Sequence, residues 1–136
     1  MKLTEHFTLK QFLVSKDHPK LIANHLATKE QINRLYLLCV FGLEKLHNRF
    51  GGIVITSGLR SVELNRALGG VIDSQHLAGE AVDFVCSKNY DMKVVYGYIL
   101  NMMRWPGEVL YHESTGHIHL ALPRFGLRAD YMAILA

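Results

Sequence analysis

Apolar positions in this chain recur first at helical and then at strand spacing. In residues 28 to about 50, Ile32, Leu35, Cys39, Leu43 and Leu46 follow one another at three- and four-residue steps. That spacing places them on one buried helical face. Thr28 and Gln31 form a capping pattern at its start, and Gly51-Gly52 ends it. A second Thr-x-x-Gln pattern, Thr8 and Gln11, opens a short helix over residues 8–14, followed by a loop holding Asp17, His18 and Pro19. Residues 53–56 read as a short apolar strand, 57–61 as a loop, and 62–68 as one more short helix closed by Gly69-Gly70.

Beyond this point the pattern turns to period two. An irregular polar segment, Asp73-Ser74-Gln75-His76, enters a strand over residues 81–85. Asp91 caps a helix running to about residue 104, with Val94, Val95, Tyr98, Ile99 and Met102 on its inner face. Trp105-Pro106-Gly107 is a turn, and residues 109–112 and 117–122 form two strands joined by the turn 113–116. There is no repeat, no low-complexity segment and no linker. The expected fold is α+β: one small domain over residues 1–136, its mostly antiparallel sheet covered by helices. The apolar tail, residues 127–136, is expected to pack on the body.

Composition fits this picture. The 136 residues are 49% hydrophobic and 20% charged, which excludes a disordered, fibrous or collagen-like chain. A domain this long buries enough surface to need no disulfide staples, and Cys39 and Cys86 are expected to be buried free thiols. The formal charge is +3, with ten basic and five acidic residues in the first 68 but five and seven in the rest. No basic run or aromatic-basic motif accompanies the surplus, so nucleic acid is not an expected partner. No apolar stretch has the length of a membrane span or of a signal peptide's core, so synthesis and first residence in the cytoplasm are expected. A lone domain of this size is expected to be a monomer.

The histidines are the most unusual feature of the composition. There are eight, three of them within residues 112–119. Asp83 stands in an apolar strand, sharing a face with Ala81 and Val85. A carboxylate there is costly unless it is paired or binds a metal. With His76 alone, a carboxylate satisfied by backbone amides is an equal reading. In His117-Ile118-His119 both imidazoles point the same way along a strand. His76, Asp83 and one of these histidines make a three-ligand set that leaves zinc an open fourth position, the mark of a catalytic site. The run His112-Glu113-Ser114-Thr115-Gly116-His117 is not the His-Glu-x-x-His helix of many zinc proteases. Its histidines are five apart, about 140° around a helix axis, and Ser-Thr-Gly is turn composition.

Three stretches then carry a family resemblance: Ser57-Gly58-Leu59-Arg60-Ser61, Leu64-Asn65-Arg66-Ala67-Leu68-Gly69-Gly70, and Ser74-Gln75-His76-Leu77-Ala78-Gly79-Glu80-Ala81-Val82-Asp83. With Gly116-His117-Ile118-His119 they resemble the zinc D-alanyl-D-alanine carboxypeptidase/endopeptidase family over residues 53–121. The phrase Phe7-Thr8-Leu9-Lys10-Gln11-Phe12 resembles compact versions found in bacteriophages and bacteria. The resemblance implies one Zn2+ per chain on His76, Asp83 and His119. It implies that Arg60 grips a substrate carboxylate or carbonyl, a task suited to a planar bidentate guanidinium, and that Ser74 holds the ligand loop by the substrate. It places the general base either shortly before the last histidine, here Glu113, or on the first histidine of His-x-His, here His117. The expectation is Glu113 as base with His117 as its partner. The implied substrate is a peptidoglycan stem peptide, reached at the cell wall through phage lysis, a virion or another export route. A zinc-containing but inactive wall-binding or virion-associated module is the competing expectation.

Overall fold

A computed structural model describes residues 1–124. The capping pair at Thr28 works as expected: Gln31 N–H donates to Thr28 Oγ1 at 3.1 Å, and Thr28 N–H donates to Gln31 Oε1 at 2.8 Å. It starts α1, Lys29–Leu38, which continues through a π turn at Cys39–Leu43 into α2, Glu44–Phe50. The expected single helix is therefore one run with a bulge. Gly42 lies in the bulge, and a Cβ there would stand 3.1–3.3 Å from Leu120 and Trp105. Gly51, at φ +70°, ends the run. The helix expected over residues 8–14 is a single 3-10 turn, Leu9–Phe12, and a second such turn, Pro19–Leu21, lies in the loop after it.

The remaining elements are β1, Ile53–Ser57; α3, Val62–Ala67, capped by Ser61; β2, Ala81–Cys86; and α4, Met92–Tyr98, capped by Asp91. A π turn at Ile99–Met103 extends α4, and β3, Val109–His112, and β4, His117–Ala121, close the order. The four strands form one antiparallel sheet in the order β1-β2-β4-β3. This is the expected α+β architecture.

Strand parity sorts the sheet into two faces. Val82, Phe84, Ile118 and Leu120 point to the helices and join Leu35, Leu38, Leu43, Val95, Ile99 and Trp105 in the core. Asp83, His117 and His119 point to the other face. The helices cover one side of the sheet and leave the chemistry on the opposite side. Cys39 is buried, as expected; Cys86 is only half-buried, because it ends β2 at the sheet rim, where its thiol donates to Gly51 O at 3.1 Å. The tail at residues 127–136 lies outside the described residues.

Candidate metal centre

Sheet register makes the first half of the site. Asp83 of β2 pairs directly with His119 of β4, and His119 pairs on its other side with Leu110 of β3. Two residues earlier on β4, His117 faces the same way and pairs with His112. The Asp83–His119 contact is 2.8 Å, Oδ1 to Nδ1.

The third group arrives on the loop between α3 and β2. His76 is buried, and its Nδ1–H donates to Gly58 O at 2.8 Å. Its Nε2 is thereby left facing Asp83 Oδ1, 3.4 Å away. Several bonds fix the loop. Ser74 Oγ accepts from His76 N–H at 3.3 Å, Arg60 N–H donates to His76 O at 3.1 Å, and buried Gln75 donates to Leu122 O at 2.7 Å. Helix α1 holds it from below, with Gln31 Nε2 donating to Leu77 O and Arg34 to Ala78 O.

His76, Asp83 and His119 offer ligand atoms that all lie within 4.8 Å of one another. Ligands about 2.1 Å from a tetrahedral zinc stand roughly 3.4 Å apart; His76 Nε2 and Asp83 Oδ1 have that spacing, while His119 Nδ1, at hydrogen-bond distance of 2.8 Å from Asp83 Oδ1, would move apart from it to admit an ion. Burial alone would raise the Asp83 pKa. Hydrogen bonds and charge from His119 and His76 outweigh it and hold the carboxyl well below the usual range. It is an anion at neutral pH, as a ligand must be.

Around this cluster lies a cleft of about 440 Å³ lined by Arg60, Ser74, Glu108, Leu110, His112 and His117 as well as the three candidate ligands. Arg60 Nη2 stands 4.0 Å from Asp83 Oδ2, and Nη1 donates to Asn65 Oδ1 at 3.2 Å. Asn65 in turn donates to Val71 O at 2.9 Å, so the guanidinium is braced. Its buried Nε has no hydrogen-bond partner among the described residues. Burial lowers the Arg60 pKa and Asp83 pulls it back up, leaving a cation held at the cleft wall.

His117 Nε2 is 3.9 Å from Asp83 Oδ2. Thr115 Oγ1 lies against His117 Nδ1 and within 3.4 Å of His112 O. With the Thr115 proton given to that carbonyl, Nδ1 donates to Thr115 and the His117 lone pair sits on Nε2, toward the cleft. Burial lowers the His117 pKa; Asp83 opposes this, while His112, His119 and His76 add to it, and the net downward shift favours the neutral ring.

Of the seven residues singled out from sequence, six line this cleft and Glu113 does not. Its side chain is 81% exposed, 3.9 Å from Lys93 of α4. Parity explains the placement: Val109, Tyr111 and position 113 follow the helix-covered face of β3, where Tyr111 packs near Tyr96. Glu108, Leu110 and His112 follow the other face. Sequence reading passed over Glu108, whose carboxylate stands 3.2 Å from His119 Nε2. Extending the β3 alternation by one residue would have found it.

The sequence profile of peptidase M15 matches residues 5–121. The chain therefore belongs to the peptidase M15 family, a family of zinc metallopeptidases. No curated protein and no solved structure matches the chain.

Proposed function

We propose that the protein is a zinc-dependent peptidoglycan peptidase that hydrolyses a stem-peptide amide bond as a D,D-carboxypeptidase or endopeptidase. The observation that carries this reading is the convergence of His76, Asp83 and His119 beside a braced, half-buried arginine in one cleft. His76, Asp83 and His119 would hold one Zn2+, which supplies a Lewis acid that polarises a carbonyl and brings the pKa of an activated water to about 7.

The chain's own groups supply the rest. Arg60 offers its Nη2 edge to a substrate carboxylate or carbonyl oxygen and counters the charge that develops there. His117, neutral and with Nε2 free, takes the proton from the attacking water and returns it to the leaving amine. We assign the proton to His117 rather than Glu113 because His117 lines the cleft and Glu113 faces Lys93. Ser74 keeps the His76 loop in place through its bond to the backbone. Among the described residues no helix is long and apolar enough to cross a membrane, and the proposed place of action is the cell wall.

The test compares zinc content and release of soluble muropeptides for wild type and His76→Ala. One zinc per wild-type chain with release, and loss of both in His76→Ala, is expected. Zinc without release would point to a wall-binding module; no zinc in the absence of chelator would refute the site.

A further inference from the structure

The two histidines of the cluster present opposite ring nitrogens. His76 offers Nε2 because its Nδ1–H is given to the Gly58 carbonyl. His119 offers Nδ1, 2.8 Å from Asp83 Oδ1, and leaves Nε2 on the far side of the ring. Glu108 Oε1 stands there at 3.2 Å. A neutral imidazole has a single N–H, so a ring that gives one nitrogen's lone pair to an ion carries its proton on the other. His76 finds its acceptor in the backbone of the fold. The nearest such acceptor for His119 is a side chain.

We propose that Glu108 is the positioning residue of His119: its carboxylate accepts the Nε2–H and so commits Nδ1 to the metal. This rests on the reading that the cluster holds zinc. In the arrangement described, the ring proton lies between Nδ1 and Asp83; once Nδ1 is given to an ion the proton belongs on Nε2, and Glu108 is within reach to accept it. The backbone holds Glu108 at that point, since its carbonyl accepts from Ala121 N–H at 2.9 Å and its side chain falls on the cleft face with Leu110 and His112. Acceptors of this kind fix both tautomer and ring angle, and their loss lowers metal affinity by roughly 10–100-fold.

The experiment measures zinc affinity by competition with a chromophoric chelator, and the absorption bands of the Co2+ form, for the full chain and for Glu108→Gln and Glu108→Ala. Glu108→Ala is expected to bind zinc roughly 10–100-fold more weakly, with altered Co2+ bands. Glu108→Gln, which keeps an acceptor, is expected to stay close to wild type in both. Glu108 is 54% exposed, so both variants should fold; Glu108→Leu replaces the alanine variant if melting shows otherwise. Wild-type affinity and bands in the alanine variant would overturn the proposal, as would equal losses in the two variants. Wild-type protein that binds no zinc would instead refute the metal reading beneath it.

Discussion

Histidine 117 and glutamate 113 separate two ways of reading the same residues. Counting back from His119, either could serve as base; the pleat of the sheet puts only His117 in the cleft. His117 shares the parity of His119 and lines the cleft, whereas Glu113, in the turn after β3, lies beside Lys93 of α4. We expect His117→Gln to lower kcat by roughly 10²–10⁴-fold with its zinc retained, the usual span for removing a general base. Glu113→Gln should keep near-wild-type muropeptide release. Loss of release in Glu113→Gln at full zinc occupancy would return the proton to the glutamate. The three groups proposed as ligands were legible in sequence, because a carboxylate in an apolar strand and a His-x-His pair each signal an unusual demand. The supporting acceptors were not. Gly58 O is a backbone atom, and Glu108 lies just before the strand whose alternation places it.

At the scale of elements, the loop that carries His76 depends on α1. Gln31 caps that helix through Oε1 and holds the loop through Nε2, joining two elements 46 residues apart. Gly79 lets the loop come this close: it sits at φ +75°, and a Cβ there would stand 2.8 Å from Gln31 O. Gly79→Ala therefore meets both left-handed backbone and a hard contact. A loss of about 1–3 kcal/mol in urea unfolding is expected, together with weaker zinc binding. A variant as stable as wild type, with unchanged zinc affinity, would show that the loop does not need this approach. The helix was plain from its three- and four-residue period, but its π turn was not. A bulge keeps the apolar face on average and is set by what packs there, here Trp105 and Leu120 against Gly42.

Across the whole molecule, the segment before the candidate ligands is tied to the core and to the loop that carries Arg60. Phe7 and Phe12 are buried in the core, and Leu59 N–H, next to Arg60, donates to Phe12 O at 2.9 Å. The segment is fastened to α2 by Glu44, which accepts from Thr4 Oγ1 at 2.8 Å and from His6 N–H at 2.7 Å and meets His6 Nδ1 at 2.7 Å. Burial raises the Glu44 pKa, but these bonds prevail and the net shift is downward. A carboxyl whose folded pKa lies below its unfolded value stabilises the fold fully above that unfolded value, about 4.3, and loses the contribution as pH falls through the folded one. Hydrogen bonds to charged groups contribute about 1.5–3 kcal/mol, less where water has access. Glu44→Gln should thus cost about 1 kcal/mol at pH 7, read from urea midpoints, and its gap from wild type should close as the pH is lowered below about 4. A gap that stays constant down to pH 3 would mean that Glu44 works through shape and not through charge. Closure on schedule, with zinc affinity falling alongside stability in the variant at pH 7, would show that the amino-terminal strap helps to hold the floor beneath Arg60 and His76.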